Sequence, residues 1–209
     1  MSLGTTRRSL HAVAELVLAG PQHRRTGEIR LTVTPTGFRT FAGPALAVDG
    51  TDLVTAGGRV PIAGRTCAAL AEAAGVDAGA PEGLYGDGSG ARPDDVLALD
   101  PVETRWLEDC WAAGDVALRR LAPQEAPILW PEHFDVGILV DGIGYGVSPG
   151  DSSVAEPYAY VGPPTPLSGP FWNYPFGAAR TMRGLDSGDP DAVVAFFLEG
   201  RERALAGHA

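Results

Sequence analysis

The spacing of apolar residues predicts four helices. In residues 10–18 the apolar side chains recur every three or four positions, which is the period of one helical face. Gly20 and Pro21 are expected to end this helix. Thr66 and Gly75 are suited to begin and end a short alanine-rich helix. Asp-Pro pairs, which suit helix N-termini, begin the other two predicted helices at Asp100-Pro101 and Asp189-Pro190.

Short alternating runs between turn signals predict two antiparallel β-meanders. The predicted strands form two blocks and do not alternate with helices, which favours an α+β fold over a parallel sheet. We therefore expect residues 1–209 to form one compact α+β domain, with possible sub-blocks at 1–76 and 95–209. The predicted strands are residues 28–34, 38–41, 46–48, 53–55 and 60–62 in the first block, and 134–140, 143–147 and 157–161 in the second.

Residues 77–94 join the two predicted sub-blocks. The segment contains five glycines and two prolines with few apolar side chains. A loop of this length without regular structure is typical of a functional lid or a mobile connection.

The charge and cysteine content limit the classes of function. The net charge is -10, and all 16 basic residues are arginines scattered along the chain. This pattern disfavours binding to nucleic acid or to an anionic membrane. No apolar run is long enough to cross a bilayer. Cys67 and Cys110 lack the spacing of a zinc site, and they indicate reduced, buried thiols in a cytoplasmic protein.

Aromatic and acidic residues are concentrated between positions 130 and 176, which hold 9 of the 16 aromatic residues. Aromatic walls with a few polar groups are typical of small-ligand pockets. His133 is the candidate general base or ligand, and Glu132 or Asp151 could orient it. Asp135 is a further catalytic candidate. The candidate ligand-binding residues are Trp130, Glu156, Tyr158, Tyr160, Trp172 and Asn173.

Three functions remain open at this point. The first is a small-molecule binding or sensing domain. The second is a hydrolase or isomerase that uses His133 with nearby carboxylates. The third is a structural or partner-binding module in which the aromatic residues only fill the core. No spacing identifies a cofactor or a metal site, although His133 with the acidic residues could in principle hold a hard cation.

The topology of the second meander predicts that four of these residues converge. Adjacent antiparallel strands run back alongside each other about 5 Å apart. The start of the first strand should then lie beside the turn after the second. We expect His133, Asp135, Asp151 and Glu156 to meet at that end of the sheet.

Residues 146–150 match the G-x-S-x-G pattern of a serine hydrolase, but their context does not. The residue after Ser148 is Pro149, which has no N–H to offer an oxyanion. The segment that follows predicts another strand and not a helix. Ser148 is therefore not expected to be an activated nucleophile.

Three segments carry a resemblance to known proteins: Trp-Pro-Glu-His-Phe-Asp at 130–135, Gly-Val-Ser-Pro-Gly-Asp at 146–151, and Glu-Pro-Tyr-Ala-Tyr at 156–160. The chain resembles a group of uncharacterised bacterial proteins, mainly actinobacterial, that share these segments as part of a domain of unknown function. The resemblance covers roughly the C-terminal half. It implies that the three segments belong to one structural unit, and it assigns no catalytic residue.

Overall fold

The computed structural model describes residues 2–86, 88–186 and 188–206. The fold is α+β with antiparallel strand pairing, as the sequence predicts. The chain forms two compact units: the first is Met1–Glu108 with Leu129–Phe134, and the second is Asp109–Ile128 with Asp135–Ala209. The loop at 77–94 lies inside the first unit, so the unit boundary differs from the predicted sub-blocks. The Trp130–Asp135 segment is divided between the two units at Phe134.

The first unit contains a meander of five short strands. Each strand pairs with the next, and Leu31 also pairs with Leu129 in the short strand β6 (Ile128–Leu129). This confirms the predicted first block, although β6 itself was not predicted. The five strands are β1 (Leu31–Thr34), β2 (Gly37–Thr40), β3 (Ala47–Asp49), β4 (Asp52–Thr55) and β5 (Gly58–Pro61).

The N-terminal helix is longer than predicted, because Gly20 and Pro21 do not end it. Helix α1 (Leu3–Ala12) continues through a π-helical segment (Val13–Ala19) into α2 (Gly20–Thr26), which ends at Gly27 with a positive φ of 77°. A proline lacks the N–H that a π-turn would donate to the carbonyl five residues earlier. For Pro21 that carbonyl is Leu16, and it accepts the Gly79 N–H at 2.9 Å instead.

Two of the remaining helices begin at the predicted capping residues. Thr66 caps α3 (Cys67–Ala74), and the Asp100 carboxylate caps α4 (Pro101–Leu121) by accepting the Val102 N–H at 3.0 Å. Helix α5 (Pro190–Ala206) follows Asp189, as predicted. No described helix is long and apolar enough to span a membrane.

The second unit contains four antiparallel strands in the order β10-β9-β8-β7. Helices cover one face: a Cβ on Gly114 of α4 would lie 2.7 Å from Val147, and a Cβ on Gly200 of α5 would lie 2.6 Å from Val161. Both helices thus approach the sheet closely where they have no side chain. The strands are β7 (Val136–Val140), β8 (Ile143–Ser148), β9 (Tyr158–Gly162) and β10 (Ala178–Thr181), and only β10 was not predicted.

Glycines on the opposite face of this sheet make room for an aromatic ring. Gly137 and Gly146 are paired across β7 and β8. A Cβ on Gly146 would lie 2.5 Å from the Tyr160 Oη, and one on Gly137 would lie 3.0 Å from it. The glycine-rich sequence of β8 therefore lets Tyr160 extend across two neighbouring strands.

Candidate functional site

Two tyrosines of β9 each donate a hydrogen bond to an aspartate. Tyr160 binds Asp135, and Tyr158 binds Asp151 with 2.6 Å between Oη and Oδ2. The two tyrosines lie two positions apart and therefore share a sheet face, as predicted; their ring centroids are 6.3 Å apart. The topology thus brings Asp135 and Asp151 to neighbouring side chains, although 16 positions separate them in sequence.

The hydroxyls of these tyrosines are held in their protonated form. Burial raises the pKa of Tyr160 well above its ordinary value, and the charge of Asp135 adds to the effect. Burial also raises the pKa of Tyr158, with Asp151 as the next cause. A phenol that stays protonated is a permanent donor to its carboxylate. These contacts resemble structural hydrogen bonds more than an acid–base pair that is ready to react.

Asp151 also organises the loop after β8. Its Oδ1 accepts the N–H groups of Ser153 and Val154 at 2.6 and 3.0 Å. Ser148 ends β8, and its Oγ accepts the Gly150 N–H at 3.1 Å. A loop and not a helix follows Ser148, which agrees with the prediction that it does not occupy a nucleophile elbow.

The boundary between the two units falls within the predicted four-residue cluster. His133 belongs to the first unit, whereas Asp135, Asp151 and Glu156 belong to the second. The Nε2 atom of His133 lies 3.9 Å from Oε1 of Glu132, and the His133 side chain is 64% exposed. Glu156 pairs with Arg183 at 3.4 Å between Oε2 and Nε. Asp135 and Asp151 therefore bind tyrosines, while Glu156 binds a guanidinium.

The histidine of the first unit with the most extensive contacts is the partly buried His11, which was not selected from the sequence. Its Nε2 lies 2.7 Å from the Pro131 carbonyl oxygen, and its ring stacks on Phe134 with 5.0 Å between centroids. Phe134 is fully buried and has a positive φ of 59°. Burial lowers the pKa of His11 and favours its neutral form. The Trp-Pro-Glu-His-Phe segment thus places Pro131 and Phe134 against His11.

Glu15 is a second buried ionisable residue that the sequence did not reveal. It lies in the π-helical segment, is 3% exposed, and accepts hydrogen bonds from the Ser89 N–H at 2.8 Å and from the Ser89 hydroxyl. A Cβ on Gly88 would overlap the Glu15 carboxylate. Part of the predicted lid or connection is therefore bound to a helix.

The remaining candidate ligand-binding residues have structural contacts. Asn173 donates to the Ala179 carbonyl at 3.2 Å and accepts its N–H at 3.0 Å, as a neighbouring strand would. The Trp172 ring packs edge-on against Phe171 with 4.9 Å between centroids. Trp130 is 36% exposed. None of these three residues lines the cleft beside the loop that joins β2 to β3.

A cleft of about 310 Å³ lies beside the loop that joins β2 to β3 in the first unit, lined by residues 39–41, 43 and 45–47. Arg39 and Phe41 are exposed in its wall. The guanidinium of Arg30 lies over the Phe41 ring, 4.4 Å from the centroid. The cleft therefore combines an aromatic face with positive charge.

Hydrogen bonds hold the backbone around this cleft. The Thr40 hydroxyl donates to the Pro44 carbonyl at 2.6 Å. The buried Gln22 amide accepts the Ala42 N–H at 2.7 Å and donates to the Arg30 carbonyl at 2.9 Å. The sequence signals at this cleft are Gly43-Pro44 and a Phe41 that ends a predicted strand, and both are common at ordinary turns.

The described residues include no group of three or more His, Cys, Asp or Glu side chains that could hold a metal ion. Comparison with known proteins adds no assignment, because no protein-family model, curated protein or solved structure matches the chain.

Proposed function

We propose that the protein is a small-molecule binding domain and that its ligand binds in the cleft between β2 and β3. The observation that carries this proposal is the cleft of about 310 Å³ with Arg39 and the exposed Phe41 in its wall. A volume of about 300 Å³ or more is typical of small-ligand sites, which combine apolar walls with a few polar groups.

The hydrogen bonds around the cleft support a binding role. Gln22 and Thr40 hold the main chain of the loop through hydrogen bonds within the protein. A site that is already ordered avoids part of the entropy cost of binding. The ligand would therefore meet a formed surface and would not have to order the loop.

The tyrosine–aspartate pairs of the second unit support a structural role for Asp135, Asp151, Tyr158 and Tyr160. Their hydroxyls and carboxylates already bind each other. A ligand would have to replace these bonds in order to use the same groups. A ligand in the cleft would not have to replace such hydrogen bonds.

Binding can be tested with a fragment library and two-dimensional NMR. Fragments that bind as proposed shift the amide signals of Gly43, Ala45 and Ala47 in the wild-type protein. The variant Ala45→Trp fills the cleft and should abolish these shifts. Ala63→Trp is the matched control, since Ala63 is an exposed alanine of the same unit that does not line the cleft. If no fragment produces shifts at these amides, or if Ala45→Trp leaves them intact, the proposed site is wrong.

We also propose a cytoplasmic location. The two cysteines, Cys67 and Cys110, are buried free thiols, which is usual in a reducing compartment. Fractionation of the native host, with an immunoblot for the protein, tests this: recovery in the periplasmic or secreted fraction would contradict it.

A further inference from the structure

We infer that the ligand of this cleft is a small aromatic carboxylate, an inference that rests on the proposed binding function. The cleft offers one unneutralised guanidinium next to an accessible aromatic ring. A flat ring with a carboxylate at its edge can use both features at once. Arginine binds carboxylates through two parallel N–H donors, and ring pairs add a stacking contribution.

The positive charge of the cleft comes from Arg39. Arg30, which lies over Phe41, is already paired with Glu28 through hydrogen bonds from its guanidinium. That pairing lowers the pKa of Glu28, so its carboxylate stays ionised and compensates Arg30. Among the residues that the structure describes, no carboxylate forms an ion pair with Arg39. One positive charge is therefore left for a ligand in a chain whose net charge is -10.

The aromatic surface of the cleft comes from Phe41. Its side chain is 53% exposed, which is unusual for a phenylalanine. The Arg30 guanidinium lies 4.4 Å from its ring centroid and limits how the ring can turn. Phe41 thus presents an ordered ring edge and face to the cleft, and a planar ligand can pack against them without moving the side chain.

Two backbone amides in the cleft wall can add donors for an anion. In the described part of the chain, the N–H groups of Gly43 and Ala45 donate to no acceptor. Gly43 has a φ of 90°, a conformation that side chains rarely adopt. The neighbouring Ala42 N–H, by contrast, is bound by Gln22. A carboxylate that binds Arg39 would have these free amides within the same cleft.

Isothermal titration of the wild-type protein with benzoate and with benzamide separates the contribution of ligand charge to the affinity from that of ligand shape. The two probes have nearly the same size and the same ring, but only benzoate carries a negative charge. We expect benzoate to bind about fivefold more tightly at low salt, the ratio expected for a largely exposed ion pair. The difference should shrink as salt is added. Equal affinities of the two probes would overturn the inference.

Matched variants assign the charge and the ring to their residues. Arg39→Gln should remove the preference for benzoate, while Arg65→Gln should keep it, because Arg65 is an exposed arginine of the same unit outside the cleft. Phe41→Leu should weaken the binding of both probes and leave the ratio of their affinities unchanged. Retention of the preference in Arg39→Gln, or its loss in Arg65→Gln, contradicts the assignment.

The same titrations distinguish failure of this inference from failure of the proposed function. If benzamide binds in the cleft as tightly as benzoate does, the cleft is a binding site but its ligand is not selected for charge. If the fragment library and both probes leave the Gly43 and Ala45 amide signals unchanged, the proposed function itself is wrong.

Discussion

The aromatic cluster of the second unit and the cleft of the first unit contain similar side chains but differ in where their polar groups are directed. Tyr158 and Tyr160 donate to Asp151 and Asp135, so the polar groups of the cluster bind one another. Arg39 in the cleft donates to the Thr40 carbonyl at 3.5 Å, but it forms no ion pair with a carboxylate among the described residues. The polar groups of the cluster are therefore satisfied within the fold, whereas the cleft is the site that we propose for a ligand. A high density of aromatic and acidic residues in a sequence does not by itself identify a binding site.

The largest expected loss of stability comes from substituting Gly146, the glycine that accommodates Tyr160. Gly146→Ala places a Cβ 2.5 Å from the Tyr160 Oη and from the Val136 carbonyl oxygen, and a backbone atom cannot yield easily. We expect the free energy of unfolding to fall by about 3 kcal/mol, the upper range for overpacking. Urea denaturation followed by circular dichroism measures the change.

Gly144→Ala is the control for this substitution, because it lies on the same strand and its Cβ would meet nothing closer than 3.7 Å. Its stability should stay close to that of the wild type. Equal losses for the two variants would show that the strand resists any side chain, and that Tyr160 is not the reason for the glycine.

The next effect tests whether the tyrosine–aspartate pairs are structural. Tyr160→Phe removes the hydroxyl that binds the buried Asp135 carboxylate. Loss of a hydrogen bond to a charged, buried group should lower the free energy of unfolding by about 2 kcal/mol. Benzoate binding at the cleft should not change. A variant that keeps its stability but loses ligand binding would reverse the comparison between the two regions.

Tyr174→Phe provides the matched control. Tyr174 packs against the same cluster and stacks on Phe176, but its hydroxyl donates to none of the described residues. Removing that hydroxyl should have little effect on the urea midpoint. If both substitutions cost the same, the loss reflects general packing and not the bond to Asp135.

The sequence predicts regular structure well where the responsible interactions are local. Thr66 and Asp100 cap helices because their side chains bind nearby N–H groups. The positions of Tyr158 and Tyr160 on one face follow from the two-residue period of a strand. Gly20-Pro21 misled the prediction because the missing N–H of Pro21 is compensated by Gly79, which lies 58 positions along the chain.

The candidate site was harder to predict for the same reason. The cleft depends on Gln22, whose amide binds Ala42 and Arg30 from a helix that no local pattern connects to β2. Glu28 pairs with Arg30, and no described carboxylate pairs with Arg39. The prediction of a site around His133 relied on residue types, and these cannot show that Asp135 and Asp151 bind tyrosines.

A smaller effect concerns the glycine-rich segment at 77–94, which was expected to be mobile. Gly88→Ala would drive a Cβ into the Glu15 carboxylate and should displace Ser89 from it. We expect the Ser89 amide to exchange with solvent about tenfold faster, since one hydrogen bond of about 1.4 kcal/mol is lost. Amide exchange followed by NMR measures the rate.

Gly86→Ala is the control for this change. A Cβ on Gly86 would meet nothing within 4 Å, although Gly86 lies only two positions from Gly88. Its Ser89 amide should exchange at the wild-type rate. Fast exchange of the Ser89 amide already in the wild type would show that the hydrogen bond to Glu15 does not hold this segment. The glycine-rich segment would then be accessible to solvent, as the cleft is.

The smallest expected effect is the pH dependence that His11 gives to the stability of the first unit. Burial lowers the pKa of His11 in the folded protein, whereas an unfolded histidine titrates near pH 6.5. Below about pH 6.5 the unfolded chain therefore takes up a proton that the folded chain resists, and the free energy of unfolding falls as the pH falls. Glu28 and Asp49, whose pKa values are lowered, contribute only at more acidic pH.

Urea titrations of the wild type and of His11→Gln at pH 7.5 and pH 5.5 isolate this contribution. The introduced glutamine cannot be protonated, but its amide can still donate to the Pro131 carbonyl that lies 2.7 Å from the His11 Nε2. Histidines that do not interact with His11 contribute equally to both proteins and cancel in the difference, while the repulsion between His11 and His133 is part of the measured contribution. We expect the wild type to lose more stability than the variant on acidification, so that the two converge at pH 5.5. Stability curves that stay parallel across this range would mean that the stacked His11 is protonated without cost, and that this part of the first unit is as accessible to water as the cleft.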